Sequence, residues 1–180
     1  FKPAFEMELD AMRSVKYDYG LDNLQLMVPF CRTPEEGSLV TGLLNEKGVG
    51  PASGTDLFVM VELPSNVIEA DRFIEMMDLS GGSIGSNDLV QTVYAVSRDD
   101  LEGYQNPIDA RSPSVKAMIR DIVGKFNSKG MEIGICGQAP SDFPDEFPAF
   151  LVDCGITSIS VTPDTAVAVR GTVAEAEKRA

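Results

Sequence analysis

The chain has 180 residues, 43% of them hydrophobic, enough for one ordinary domain spanning 1–180 with a sizeable core. Its 15 basic and 28 acidic residues leave a net charge of −13, a surface that repels phosphate backbones and argues against nucleic-acid binding. There is no histidine, which removes Ser-His and Cys-His catalysis and any phosphohistidine on this chain, and three cysteines without metal-type spacing point to a reducing, cytoplasmic compartment.

Residues 5–19 read as a helix, with Phe5, Leu9, Met12 and Val15 at helical spacing and Gly20 as the stop. The opening residues are not a signal peptide, no run approaches a membrane span, and the start without methionine reads as a fragment or a processed product. Leu24–Phe30 is the first strand. Thr33-Pro34-Glu35-Glu36 is a capping box that opens a helix to about Lys47. A Gly- and Pro-rich loop, 48–54, leads to a strand ending at Glu62. A helix over 65–78 is expected to turn Ile68, Phe73, Ile74 and Met77 inward, and the next strand is expected to end near Ser86. The stretch 89–111 is polar and reads as a long irregular connection. Ser112-Pro113 opens the most regular helix, with Val115, Met118, Ile119, Ile122, Val123 and Phe126 on one face and Gly130 closing it. A strand ending at Cys136, a Pro-interrupted loop, a helix to about Cys154-Gly155, the strand Ser158–Val161 and a last helix opened by Thr162-Pro163-Asp164 complete the chain. Five alternating βα units give a parallel sheet in an α/β fold, either a small doubly wound sheet or part of a barrel.

Three apolar runs stop at chemically capable residues and then break into a turn: Leu57 to Glu62, Gly82 to Asn87-Asp88, and Glu132 to Cys136. Buried parallel strands that each present one polar group at their C-terminal end are how (β/α) barrels assemble active sites. Glu62 is either a metal ligand or acid/base group, or the partner of an arginine on a neighbouring strand. Asn87-Asp88 is either a turn or helix cap, or, with Glu62, a carboxylate pair suited to Mg²⁺, which completes its shell with waters and substrate oxygens. Asp56, Asp99, Asp100 and Asp142 compete but begin strands or lie in loops. Cys136 is either a small buried hydrophobe or a proton donor to carbon, which the flanking Gly134 and Gly137 favour by allowing a ligand close. Cys31 and Cys154 read as packing residues, and Arg32 as a solvated residue or an anion contact.

Gly82-Ser-Ile-Gly-Ser-Asn-Asp-Leu89, Val61-Glu-Leu-Pro-Ser-Asn66 and Gly134-Ile-Cys-Gly-Gln-Ala-Pro-Ser-Asp142 resemble the C-terminal PEP/pyruvate-binding domain of phosphoenolpyruvate (PEP) synthases (pyruvate, water dikinases), members of the PEP-utilising enzymes. The resemblance runs from Met27-Val-Pro-Phe-Cys-Arg-Thr33 to Ser158-Ile-Ser-Val-Thr-Pro-Asp164. It implies a TIM barrel binding pyruvate or PEP, with Mg²⁺ (or Mn²⁺) held by Glu62 and Asp88. Gly85, Ser86 and Asn87 become substrate contacts and Cys136 the acid/base residue. It also implies a transferase that makes PEP from pyruvate, ATP and water, with ATP-grasp and phosphohistidine domains elsewhere in a parent chain. A five-stranded piece of a closed barrel would leave open sheet edges, so association into a homo-oligomer or with the missing segment is expected. This chain matches what look like the last five of eight barrel strands. The arginines that hold the substrate phosphate belong to the earlier strands, so the isolated piece is expected to be inactive. Two departures are Val90, where a threonine is usual, and a longer 45–55 stretch. Alternatives are another barrel of the same superfamily, a lyase or a pyruvate, phosphate dikinase, and a non-catalytic truncated module.

Overall fold

The computed structural model describes residues 2–97 and 108–179. Helix α1 (Lys2–Tyr17) precedes strand β1 (Gln25–Val28), helix α2 (Pro34–Glu46), a 3-10 turn at Pro51–Ser53 and strand β2 (Asp56–Val61). Helices α3 (Pro64–Ile68) and α4 (Ala70–Met77), strand β3 (Gly81–Ile84) and helix α5 (Ser86–Tyr94) follow. After the undescribed stretch come α6 (Pro113–Ser128), β4 (Glu132–Ile135), α7 (Ala139–Asp142), α8 (Phe147–Cys154), β5 (Ser158–Ile159) and α9 (Ala166–Glu177).

The described strands form a parallel sheet in the order β1-β2-β3-β4-β5. A doubly wound sheet reverses its order at a switch point; a sheet that keeps chain order puts every right-handed crossover helix on the same face, as in a barrel. The burial pattern agrees. In β2 the residues Leu57, Val59 and Val61 are buried under the helices, while Asp56 is exposed and Phe58 and Met60 are only half-buried on the opposite face. Packed against the helix-facing side are the residues expected from α6: Val115, Ile119, Ile122, Val123 and Phe126 are buried, and the helix stops before Gly130 at φ +67°.

The register of the sheet sets which residues emerge together at its C-terminal edge. Val61, Ile84, Ile135 and Ile159 lie in one row across β2 to β5. The first three are at most 1% exposed and face the helices. Because successive strand residues alternate faces, the next residue of each strand turns to the open side. Those residues are Glu62, Gly85, Cys136 and Ser160. The ladder runs one step past the row to hold them level: Gly85 N–H donates to Val61 C=O at 3.0 Å, Cys136 N–H to Ile84 C=O at 3.1 Å and Ser160 N–H to Ile135 C=O at 2.9 Å.

Several boundaries differ from the sequence expectation. Ser86 does not end a strand; it opens α5, which takes in residues 86–94 of what read as strand end and irregular connection. Leu89 and Val90 on its inner side are buried, and two such contacts outweigh the polar composition around them. The single helix expected over 65–78 is two, broken at Glu69, and the break turns Ile68 outward to 70% exposure while Phe73 and Met77 stay buried. The Pro-interrupted loop after Cys136 contains the short α7, the helix to Cys154 is α8 as expected, and β5 is shorter than Ser158–Val161. Asp99, Asp100 and the middle of the 89–111 stretch lie outside the described residues.

Phe126→Ala removes a fully buried ring and should cost about 3–5 kcal/mol. Ile68→Ala, on the outward side of the break, should stay within about 0.5 kcal/mol. Denaturant midpoints of the two variants check this; a large loss for Ile68→Ala would mean that α3 packs as the sequence suggested.

Candidate active site

Glu62 follows β2 directly and is 3% exposed. Three neighbouring segments fix it. Its Oε1 accepts a hydrogen bond from Phe30 N–H at 2.6 Å, just past β1. Its own backbone N–H and that of Leu63 donate to Asn66 Oδ1 at 3.2 and 3.0 Å, and Asn66 Nδ2 donates to Cys31 C=O at 2.7 Å. Thr92 Oγ1 on α5 donates to the Glu62 carbonyl at 3.0 Å. Burial raises the Glu62 pKa, the Phe30 N–H opposes that, and the nearby Asp88 carboxylate raises it again, with a net upward shift.

Asp88 stands in the first turn of α5, where the helix end favours a negative charge, and its Oδ1 accepts from Gln91 Nε2 at 3.0 Å. Among the described residues, Glu62 Oε2 and Asp88 Oδ2 take no hydrogen bond. A Cβ built on Gly85 would lie 3.0 Å from Glu62 Oε2, so the glycine keeps that oxygen open on the strand-end side. Two carboxylates, one of which raises the pKa of the other and each with an oxygen left over, fit a divalent cation. No group of three or more His, Cys, Asp or Glu residues suited to a metal occurs among the described residues, so the remaining ligands would have to be waters or substrate oxygens.

Ser86 is fully buried, and its Oγ is the one buried side-chain polar atom among the described residues without a hydrogen-bond partner. It sits at the start of α5, whose first N–H groups have no earlier turn to bond. A Cβ on Gly137 would come within 1.8 Å of Ser86 Oγ and 2.8 Å of Ser86 N, so only glycine lets the β4 loop pass so close to this helix end. Alongside, Asn87 and Gln138 exchange two hydrogen bonds, Asn87 Nδ2 to Gln138 Oε1 at 2.8 Å and Gln138 N–H to Asn87 Oδ1 at 3.2 Å.

Cys136 is exposed on the open face at the end of β4. Its Sγ lies 3.4 Å from Met60 Sδ and 3.8 Å from the Ile84 carbonyl. The other two thiols are different. Burial, then the charge of Glu36, pushes Cys31 up to about 11 against the opposing pull of Arg32, and burial also raises Cys154. Both remain packing residues.

The structure thus brings Glu62, Gly85, Ser86, Asn87, Asp88 and Cys136 to one end of the sheet. It removes Asp56, which begins β2 at the opposite end and bonds Gln25 and Ser80. Asp142 is exposed on α7. Arg32 Nε donates to Glu36 Oε2 at 3.1 Å in an exposed ion pair one helical turn apart. Sequence reasoning missed Phe30, Asn66, Gln138 and Met60. Asn66 had a signal in its place two residues after Pro64, where its amide caps a helix start. Phe30 had none: it holds φ +48°, unusual for a bulky residue, and what it contributes is a backbone N–H.

The family model described as PEP-utilising enzyme, PEP-binding domain, matches residues 2–178. Phosphoenolpyruvate synthase of Aquifex aeolicus is 45% identical over 180 residues, 99% of this chain and 21% of that protein. The Synechocystis phosphoenolpyruvate synthase is 43% identical over 179 residues, again 99% of this chain and 21% of the relative. The chain therefore spans about a fifth of the length of these curated relatives. Among solved structures, the citrate lyase beta subunit complexed with oxaloacetate and magnesium from M. tuberculosis superposes with a TM-score of 0.58 at 14% identity, covering 83% of this chain and 60% of that one. At that identity the likeness is one of fold.

Glu62→Gln keeps the acceptor for Phe30 N–H and removes the buried charge. A carboxyl whose pKa is raised on folding contributes stability that is complete below the unfolded value near ~4.3 and is lost as pH rises through the folded value. The variant should therefore melt higher than the wild type at pH 7, with the gap closing as pH falls toward 4. Thermal scans across that range test it; a variant less stable at neutral pH would show that the charged form is the better accommodated one.

Proposed function

This chain belongs to the PEP-binding-domain family of the PEP-utilising enzymes, and we propose that it carries the pyruvate- and PEP-binding part of a phosphoenolpyruvate synthase. The whole enzyme of that reading makes PEP from pyruvate, ATP and water. The observation that supports it most is the level row of strand ends, which gathers two carboxylates, a helix N-terminus and a thiol at one end of the sheet.

In this reading Glu62 and Asp88 hold Mg²⁺, with Mn²⁺ as a substitute. When bound, the cation supplies Lewis-acid stabilisation for negative charge building on the keto oxygen. The substrate carboxylate lies at the start of α5, where the first N–H groups and Ser86 Oγ stand ready as hydrogen-bond donors, and Gly85 and Asn87 line the approach. Cys136 moves the proton at C3. In the direction of PEP synthesis its thiolate takes a proton from the pyruvate methyl group. The C–H electron pair becomes the C2–C3 double bond, and the keto oxygen takes the phosphoryl group from a phosphohistidine. That histidine, like the ATP site, would belong to other domains of a parent chain, since this sequence contains none. A lyase sharing this fold is the second reading, favoured by the superposition with the citrate lyase subunit. Lyases have no need of a thiol at C3, so thiol-dependent exchange of solvent deuterium into pyruvate separates the two.

In a full-length enzyme bearing this segment, Cys136→Ala should abolish exchange at C3 and net PEP formation while ATP still phosphorylates the histidine. Asp88→Ala should lose both Mn²⁺ binding at this site and turnover. Turnover like the wild type in either variant would refute that residue's role.

The isolated chain should be inactive in PEP synthesis. Among the described residues β1 and β5 are each paired on one side only, and edges of that kind are normally closed by pairing. Self-association at micromolar concentration is therefore expected in sedimentation; a compact monomer with a cooperative melt would argue against the open-barrel reading.

A further inference from the structure

Beneath the proposed site, one side chain has a position that the proposed reaction does not use. Met60 faces the open side of β2, in register with Ser83, and through it with Gly134 and Ser158. In that row it is the one large residue among small ones. The absence of competing bulk lets the thioether lie across the face toward β4, where Sδ meets Cys136 Sγ at 3.4 Å. Its Cγ is 3.4 Å from where a Cβ on Gly85 would stand. A Cβ on Gly134 would fall 2.3 Å from Ser158 Oγ, so that position takes a side chain only if Ser158 shifts. Met60 is half-buried, so part of it forms the floor that a ligand at Cys136 would meet.

Resting on the synthase reading, we propose that Met60 is both the positioning residue for the Cys136 thiol and the floor that limits the size of the group on the carbon that thiol protonates. Cys136 Sγ has two described neighbours within bonding reach, the Met60 sulfur and the Ile84 carbonyl at 3.8 Å, and the thioether is the nearer. A soft, polarisable sulfur at that distance restricts the thiol without offering it a base. The same side chain occupies the volume that one carbon beyond C3 would need. The site then admits the methyl group of pyruvate and excludes the ethyl group of 2-oxobutyrate.

The test uses the full-length enzyme and two substitutions. Met60→Ala opens the floor, and Met60→Leu keeps most of the bulk but removes the sulfur. The measured quantities are solvent deuterium exchange at C3 of pyruvate and of 2-oxobutyrate, with phosphorylation of the histidine by ATP and the thermal transition as controls. Met60→Ala should raise the 2-oxobutyrate-to-pyruvate exchange ratio by roughly 10- to 200-fold, the range one methylene is worth in an apolar pocket. Met60→Leu should keep the wild-type ratio but slow exchange of pyruvate, and alkylation of Cys136 by iodoacetamide should change in rate with it. An unchanged ratio in Met60→Ala, with the wild type exchanging and Cys136→Ala inert, would overturn the role of Met60 and leave the synthase reading standing. Exchange that persists in Cys136→Ala would instead overturn that reading itself. If Met60→Ala loses its thermal transition, the ratio in Met60→Gly and Met60→Val, read only from variants that melt like the wild type, decides the point in the same way.

Discussion

The row Val61-Ile84-Ile135-Ile159 is the constraint on which the site depends. Branched aliphatic side chains at these positions are driven under the helices, and slipping any one strand by a residue would expose its apolar set and bury the polar one. The alternation of strand faces then leaves no freedom for the next residue along each strand. Glu62, Gly85 and Cys136 must emerge together on the open side, within one ladder step of each other. Function is placed by hydrophobic burial, not by attraction among the polar groups.

Those polar groups oppose one another. Glu62 is partly desolvated and has the like charge of Asp88 nearby, on a chain already carrying −13. Their proximity is tolerated because each has a fixed donor: Phe30 N–H for one, Gln91 for the other. Each donor takes one oxygen and leaves the other without a hydrogen bond among the described residues. A carboxylate pair of this kind favours a positive charge nearby, which is what the proposed cation would supply. Phe30, at the positive φ of +48°, is the residue whose N–H reaches Glu62.

Between β3 and β4 the contact is steric and polar together. Gly137 passes over Ser86 at a distance no side chain permits, and Asn87 and Gln138 close the same seam with paired amide bonds. The loop that carries the thiol and the helix start proposed for the carboxylate therefore move as one piece. Under the proposed roles, a proton-transfer group and an anion site would need a fixed spacing, and this seam would keep it.

By itself the sequence determined the alternation of strands and helices, the inward face of α6 and the three strand ends at which chemistry collects. All of these come from periodicity and from Gly and Pro punctuation, which act over a few residues. It also carried the motifs that point to the family. What tertiary structure decided was longer in range. Whether Ser86 ended a strand or began a helix depended on burying Leu89 and Val90. Whether Ile68 turned in or out depended on a break at Glu69 that no proline or glycine marks. Chain-order pairing decided between a barrel segment and a doubly wound sheet, which five βα units alone leave open. Phe30, Gln138 and Met60 became visible only in space, because each acts on a partner more than thirty residues away. Local pattern fixes which residues can face the site; the register of the sheet fixes which of them meet.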